Sequence, residues 1–121
     1  MNELVAAIDD TELRRIVEVI VAEFVPTQVI LFGSRARGDA RPESDFDVLV
    51  VMPNGTHRLR TGQAIYRALG KIRGRARGVD IVVVTDGEFE RGREDLGTIT
   101  RAAYREGRGL YRSAAVPADG H

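Results

Sequence analysis

The sequence predicts a single α/β (α+β) domain in which a mixed sheet of about three or more strands packs against helices. Three short, largely apolar runs, at 28–32, 46–52 and 79–84, have the length of buried strands. Segments with apolar residues at helical spacing alternate with them, so the sheet is expected to be covered by helices. The length of 121 residues is that of one ordinary domain with one core.

The first clear element is an amphipathic helix within residues 9–26, DDTELRRIVEVIVAEFVP. Asp10 or Thr11 can cap its start, and Pro26 lies just beyond its end. Its apolar stripe recurs at i, i+3, i+4, i+7 and i+11 and consists of Leu13, Ile16, Val17, Ile20 and Phe24. This spacing predicts a helix that buries one face.

The remaining elements follow from composition and turn signals. The run QVILF (28–32) is β-branched and ends at Gly33, and FDVLVVM (46–52) is followed by a Pro-Asn-Gly turn signal. A helix is predicted within 56–72 and another over 96–107, LGTITRAAYREG, before and after the third strand. The predicted order is helix, strand, strand, helix, strand, helix.

Residues 1–112 are expected to form the domain, and 113–121 a flexible C-terminal tail. No apolar run approaches the roughly 20 residues that span a bilayer, and the N-terminus has no basic region typical of a secretory signal. The chain has no cysteine, which excludes disulfides, thiolate metal ligands and cysteine nucleophiles. These features lead us to expect a cytoplasmic protein that does not associate with membranes.

Acidic residues stand at the head of two of the predicted strands. Because strand side chains alternate, Asp45 and Asp47 are expected on one face, with Cα atoms about 7 Å apart. Asp80 opens the third strand in the same way, and the three carboxylates meet at one place if the two strands are neighbours. Such a cluster would repel itself without a cation, and Mg²⁺ prefers one or two carboxylates together with phosphate oxygens and water. The sequence therefore predicts a divalent-metal site.

A second feature lies at the end of the first strand. Gly33 and Ser34 lead from this strand into a predicted helical turn, RARG. Backbone N–H groups at such a turn suit a phosphate, and Gly33 removes a side chain where the phosphate must approach closely. Ser34 can donate its hydroxyl, while Arg35 and Arg37 add positive charge. A phosphate group is the predicted ligand of this turn.

Each of these features alone has an ordinary structural explanation. A lone Asp-x-Asp at a strand entry often caps a turn, and Asp80 alone can be a residue between loop and strand. Their combination favours function, because Asp47 would otherwise be a carboxylate inside an apolar strand with no obvious partner.

The segment GSRARGDARPESDFD resembles the signature of the DNA polymerase beta-type nucleotidyltransferases, in which Gly-Ser is followed by ten residues and Asp-x-Asp. With the following VLV it is most similar to the minimal nucleotidyltransferase (MNT) domain proteins. The resemblance extends to VDIVVV and to the closing REGRGLY. It implies a small palm-like domain that binds a nucleoside triphosphate and Mg²⁺, with two ions when the triphosphate is bound.

The resemblance also implies roles for individual residues. Asp45 and Asp47 would hold the metal ions, and Asp80 would be the third acid, ligating a metal and helping to activate an acceptor hydroxyl. Gly33 and Ser34 would hold the triphosphate. The reaction would be in-line attack on the α-phosphorus with release of pyrophosphate, and ATP is the expected substrate.

The resemblance further suggests a partner, because MNT proteins are commonly paired with a HEPN-domain toxin, often a ribonuclease. The first hypothesis is an antitoxin that adenylylates a tyrosine of such a toxin. The second is a non-catalytic antitoxin that inhibits its partner by binding, and the third is a transferase acting on a small molecule or RNA together with a partner subunit. The presence of all three acids favours an enzyme, and direct binding of nucleic acid is not expected.

Charge is unevenly distributed although the formal net charge is zero. Between residues 56 and 79 there are seven basic residues and no acidic one: Arg58, Arg60, Arg67, Lys71, Arg73, Arg75 and Arg77. This basic segment can face an acidic partner or phosphates, or it can be a solvated helix face and loop. The second hypothesis places it in the partner interface.

Overall fold

The computed structural model describes residues 2–75, 77–92 and 105–114 of the chain. The helices of these ranges are α1 (Glu3–Ala6), α2 (Thr11–Phe24), α3 (Ser34–Arg37), α4 (Arg58–Leu69) and α5 (Asp86–Gly92), and the strands are β1 (Gln28–Phe32), β2 (Phe46–Met52), β3 (Val79–Thr85) and β4 (Arg108–Arg112). The three predicted strands and the first predicted helix are present, and the α/β (α+β) class is confirmed.

Helix α2 begins and ends at the signals that the sequence provides. The Asp10 side chain caps it by accepting a hydrogen bond of 3.0 Å from the Leu13 N–H. At the other end, Val25 adopts a left-handed backbone conformation, with φ of 51°, directly before Pro26. The predicted stripe faces the core, with Leu13, Ile16, Val17 and Ile20 buried.

The sheet is mixed, with the strand order β3-β2-β1-β4. Strand β1 is antiparallel to both β2 and β4, whereas β2 and β3 are parallel. The parallel pair requires a crossover, which α4 provides between the two strands. As a result, the heads of β2 and β3 lie side by side, next to the end of β1.

The two faces of the sheet have different environments. Phe46, Val48 and Val50 of β2 are buried in the larger hydrophobic cluster, which includes side chains of α2 and α4. Leu49 and Val51 point the other way, into a smaller cluster with residues of β1, β3 and α5. Alternation along β2 places Asp47 on the second face, at the end of the smaller cluster.

Helix α5 and strand β4 are additions to the predicted order. No element was predicted at either segment, and β4 forms an edge of the sheet beside β1. Most of the helix predicted over 96–107 lies outside the described residues, as does most of the predicted tail. None of the helices in the described ranges is long and apolar enough to cross a membrane.

Candidate active site

The centre of the site is a pair of carboxylates on neighbouring strands. Asp47 of β2 lies directly beside Asp80 of β3 in the parallel register. Both side chains lie on the face of the sheet that also carries Val82 and Val84, close enough for the charge of Asp80 to raise the pKa of Asp47. The two strands are therefore neighbours, which is the condition that a meeting of the carboxylates required.

The surroundings of Asp47 raise the pKa of its carboxyl above the usual value. Desolvation by burial is the largest cause, followed by the negative charges of Asp80 and Asp45 and by the hydrogen bond with Asp80. The positive charge of Arg37 acts in the opposite direction. The ionised form of Asp47 is thus disfavoured, and a bound cation would stabilise it.

Asp45 lies just before β2 and is exposed to solvent. Its carboxylate is directed toward the lead into β3, because a Cβ placed on Gly78 would lie 2.7 Å from Asp45 Oδ1. The two backbones are also close at this point, because the Phe46 N–H donates a hydrogen bond of 3.0 Å to the Gly78 carbonyl. Gly78 therefore provides the space that brings Asp45 near the other two acids.

Gly33 provides the corresponding space at the end of β1. Its backbone, with φ of 73° and ψ of −157°, lies in a region that other residues almost never adopt. A Cβ at this position would overlap Asp47 Oδ2 and would lie 3.1 Å from the carboxyl carbon. The turn and the carboxylate are therefore in direct contact, and only glycine allows it.

Ser34 begins the short helix α3 immediately after this glycine. The N–H groups of Ala36 and Arg37 both donate hydrogen bonds of 3.1 Å to the Gly33 carbonyl, which closes the turn. Ser34 is half-buried, and its carbonyl accepts a hydrogen bond from the Gly38 N–H. The Gly-Ser turn is thus a compact structure beside Asp47.

The two arginines of α3 have different environments. Arg37 is exposed, lies 3.4 Å from an Asp39 carboxylate oxygen, and is close enough to Asp47 to lower its pKa. Arg35 instead donates hydrogen bonds to the carbonyls of Arg41, Pro42 and Ser44. Its guanidinium lies over the Phe46 ring, on the face of the sheet opposite the acids. Arg37 is therefore the arginine on the side of the acids.

The donor set suits a hard divalent cation, because carboxylate oxygens are the ligands that Mg²⁺ prefers. Over the described ranges, no group of three or more acidic, histidine or cysteine side chains is already arranged to hold a metal. The fit rests on Asp47, whose raised pKa reflects negative charge gathered in a partly buried place. A cation beside the pair formed by Asp47 and Asp80 would offset that charge.

Several residues of the site were not identified from the sequence. Gly78 and Arg77 directly precede the third strand, and Phe46 separates the two acids of the Asp-x-Asp motif. The glycine just before the VDIVVV run could have indicated that another group lies close to the backbone there, as Gly33 indicated for the first turn. The role of Arg77 depends on contacts with residues far away in the chain, to which no local pattern points.

The raised pKa of Asp47 predicts a change in stability on mutation. A carboxyl whose pKa is higher in the folded state stabilises the fold while protonated, and this contribution is lost as the pH rises through the folded-state pKa. Asp47→Asn is therefore expected to raise the Tm of the metal-free protein by a few degrees at neutral pH. The gain should vanish toward pH values below about 4, where aspartic acid is protonated in both states.

Melting curves from acid to neutral pH, recorded with a chelator, test this expectation. The exposed Asp9 provides the matched control, and Asp9→Asn should not produce a gain that grows with pH. A Tm of Asp47→Asn below that of the unmodified protein at neutral pH would contradict the electrostatic account.

The basic segment is partly engaged within the domain. Arg58 forms an ion pair of 2.9 Å with Glu88, and Arg77 binds Asp10 and Glu12. Beside the segment, an open groove of about 360 Å³ runs between α4 and β3. Its lining includes Leu59, Gly62, Tyr66, Ile81 and Val83. Leu59 is 67% exposed and Tyr66 is 47% exposed, which makes this α4–β3 groove an apolar surface open to solvent.

Comparison with known families gives a match that includes the whole of the candidate site. Residues 13–94 match the family described as "Nucleotidyltransferase domain". This range contains the Gly-Ser turn, both acids of Asp-x-Asp and Asp80. No curated protein matches the chain at a significant level.

Solved structures give the same fold. A candidate nucleotidyltransferase from Sulfolobus solfataricus is 26% identical, with a TM-score of 0.57 over 84% of this chain and 78% of that one. A toxin–antitoxin structure with AMP-PNP is 19% identical, with a TM-score of 0.53 over 87% of this chain and 76% of that one. A mutant of the toxin–antitoxin pair MntA–HpeT is 16% identical, with a TM-score of 0.54 and the same coverage. The last two are similar in fold alone.

Proposed function

Since this chain belongs to the nucleotidyltransferase domain family, we propose that it is a Mg²⁺-dependent adenylyltransferase that modifies a tyrosine of a HEPN-type toxin and so acts as its antitoxin. One observation carries the proposal: Asp47 and Asp80 are paired on neighbouring strands, and the Asp47 carboxylate lies directly against Gly33, which has no side chain. A phosphate held at the Gly-Ser turn would lie next to this acidic pair.

Asp45, Asp47 and Asp80 would hold Mg²⁺, with two ions when ATP is bound. When bound, Mg²⁺ neutralises triphosphate charge and activates the attacking oxygen. Gly33 leaves room for a phosphate oxygen, and Ser34 can donate its N–H and hydroxyl to it. Arg37, on the side of the acids, adds positive charge for the triphosphate.

In the proposed reaction, the acceptor oxygen forms a bond to the α-phosphorus of ATP. The bond from that phosphorus to the bridging oxygen breaks, and pyrophosphate leaves with the bonding electrons. Asp80 is exposed and lies on β3, an edge strand of the sheet, where a protein acceptor can reach it. We therefore assign Asp80 to help remove the proton of the attacking hydroxyl, which passes from there to solvent.

Arg35 has a different role in this proposal from the one that the motif suggested. Its guanidinium is engaged with three loop carbonyls and lies over Phe46. We therefore propose that Arg35 holds the loop before β2 in place and does not bind the nucleotide.

The choice of ATP and of a toxin partner is supported by the structures of similar fold. One toxin–antitoxin structure contains AMP-PNP, an analogue of ATP. Another carries two aspartate-to-glutamate substitutions two positions apart, the spacing of Asp45 and Asp47 here. The HEPN identity of the toxin and the tyrosine acceptor rest on the resemblance to MNT proteins.

Calorimetric titration with AMP-PNP and Mg²⁺ tests the nucleotide site without needing the acceptor. The unmodified protein is expected to bind AMP-PNP in a saturable, Mg²⁺-dependent manner, and the Asp45→Asn/Asp47→Asn variant is expected to lose that dependence. Asp9→Asn serves as the control and should bind as the unmodified protein does. Equal Mg²⁺-dependent binding by the double variant would contradict the assignment of the metal ligands.

A second candidate function is favoured by the α4–β3 groove. Its lining combines apolar side chains with Arg58, so it suits a partner segment with apolar side chains and a carboxylate. The outward N–H of Ile81 is already bonded to the Tyr66 hydroxyl, which favours docking by side chains over addition of a strand. A purely binding antitoxin would use this groove, and its inhibition would survive loss of Asp45 and Asp47.

A further inference from the structure

We propose that Arg35, Phe46 and Arg77 form a device, here called the Phe46 clamp, that sets the positions of Asp45 and Asp47 relative to Asp80. The inference rests on the proposed function, since it assigns positioning residues to that site. None of the three side chains is expected to touch the nucleotide or the metal. Their effect is on the backbone that carries the acids.

Phe46 is the central part of the clamp because it lies between the two acids of the motif. Its ring is 1% exposed and is buried in the larger cluster, on the face opposite Asp47. Since neighbouring strand residues point to opposite faces, fixing this ring fixes the direction in which Asp47 projects. The Phe46 N–H is also bonded to the Gly78 carbonyl, which joins the head of β2 to the lead into β3.

Arg35 connects the clamp to the Gly-Ser turn. Its guanidinium carbon lies 4.7 Å from the centre of the Phe46 ring. The same group donates to the Ser44 carbonyl, at 3.0 Å from Nε and 2.7 Å from a terminal nitrogen, and to the Pro42 carbonyl at 2.9 Å. The backbone directly before Asp45 is therefore tied to the turn that begins at Gly33.

Arg77 connects the clamp to the third acid. Its guanidinium carbon lies 4.6 Å from the centre of the same ring. The guanidinium forms ion pairs of 2.9 Å with Asp10 and 3.1 Å with Glu12, at the start of α2, and the Arg77 N–H also donates to Glu12. Asp80 follows three residues later, so the start of β3 is anchored to both α2 and Phe46.

The clamp thus joins the three chain segments that carry the site. The Gly-Ser turn contributes Arg35, the head of β2 contributes Phe46, and the lead into β3 contributes Arg77. Each connection uses a planar guanidinium that both stacks and donates hydrogen bonds, a combination that lysine does not provide. Residues that orient metal ligands through hydrogen bonds typically change metal affinity by about 10- to 100-fold when mutated, and the clamp orients the acids through their backbone.

The test is the affinity for Mn²⁺, used as a paramagnetic replacement for Mg²⁺ and measured in the presence of AMP-PNP. Phe46→Leu removes the ring and keeps an apolar side chain. Arg35→Lys keeps the positive charge but loses the planar guanidinium and its several N–H donors. Both are expected to weaken Mn²⁺ binding by about 10-fold or more. If either variant supports AMP transfer, its half-saturating Mg²⁺ concentration should rise by a larger factor than the factor by which its kcat falls.

Matched controls separate positioning from general stability. Phe89→Leu truncates another buried phenylalanine, in the smaller cluster, and Arg60→Lys changes an exposed arginine of α4. Phe89→Leu should lower the Tm as Phe46→Leu does, yet neither control should change the Mn²⁺ affinity. Since Arg35→Lys changes a partly exposed side chain, it provides a second route if Phe46→Leu does not fold.

The outcomes distinguish this inference from the function on which it rests. Saturable Mn²⁺ binding by the unmodified protein, with unchanged affinity in folded clamp variants, would overturn the clamp alone. An equal loss of affinity in Phe89→Leu would also overturn it, because the effect would then be one of stability. Absence of saturable Mn²⁺ binding by the unmodified protein would overturn the proposed function and the clamp together.

Discussion

Replacing Asp47 with asparagine is expected to slow nucleotidyl transfer by at least about 100- to 1000-fold, the cost of losing one oxyanion-hole donor that stabilises a transition state electrostatically. Asp47 is the acid in contact with the Gly-Ser turn and with Asp80. Asparagine has nearly the same shape but no negative charge, so the turn and the strand pairing should be retained. The rate of AMP transfer from ATP to the proposed toxin partner is the quantity to measure.

The same substitution should raise the Tm of the metal-free protein, which makes the loss of activity informative. A more stable but inactive variant cannot owe its inactivity to unfolding, and such a trade-off is expected where a site gathers like charges. Asp9→Asn again provides the control and should transfer at the normal rate. Transfer by Asp47→Asn within a few-fold of the unmodified protein would exclude Asp47 from the chemistry.

Gly33→Ala is expected to have the second large effect, on both stability and nucleotide binding. The backbone at this position, with φ of 73° and ψ of −157°, would cost alanine about 1–3 kcal/mol of folding free energy. In addition, the new methyl group would overlap Asp47 Oδ2, so the carboxylate or the turn must move. Urea unfolding measures the first effect, and titration with AMP-PNP and Mg²⁺ measures the second.

Two other glycines separate these causes. Gly74 has a φ of 75° with open space around its missing side chain, so Gly74→Ala should lose stability and keep AMP-PNP binding. Gly78 does not have a positive φ, but a Cβ there would meet the Asp45 carboxylate. Gly78→Ala should therefore weaken the Mg²⁺-dependent binding of AMP-PNP, with a smaller loss of stability than Gly33→Ala. Normal AMP-PNP binding by a folded Gly33→Ala variant would contradict the account of the turn.

The features of the fold that follow from local periodicity could be predicted from the sequence. The stripe of α2 and the apolar runs of β1 to β3 are strong patterns, because one face or both faces of these elements are buried. The shared face of Asp47 and Asp80 also follows from alternation once the two strands are neighbours. The patterns predicted which face each acid occupies, and the pairing of β2 with β3 came from the structure.

The remaining elements have weak local signals. Strand β4 is an edge strand that begins and ends with arginine and buries only Leu110, a composition that protects an edge from pairing but resembles a loop. Helix α5 is seven residues long and contains two glycines, which are poor helix formers. Its position is supported by the burial of Phe89, a contact between distant parts of the chain.

The site was predictable where its residues form a motif and not where they depend on the fold. Gly33, Ser34, Asp45 and Asp47 are close together in sequence and were proposed as site residues from it. Arg77 acts through Asp10, Glu12 and Phe46, which are far from it along the chain. The direction of Arg35, toward the loop carbonyls, likewise depends on the path of residues 38–45.

The central claim, transfer of AMP onto a toxin, is tested most directly by the intact mass of the toxin partner, sought as the product of the gene next to this one. That protein would be co-expressed with the unmodified chain and, separately, with the Asp45→Asn/Asp47→Asn variant. We predict a mass increase of one or more AMP units with the unmodified chain alone. An unchanged mass, with the partner bound and silenced equally by both versions, would contradict the claim and establish an antitoxin that acts by binding.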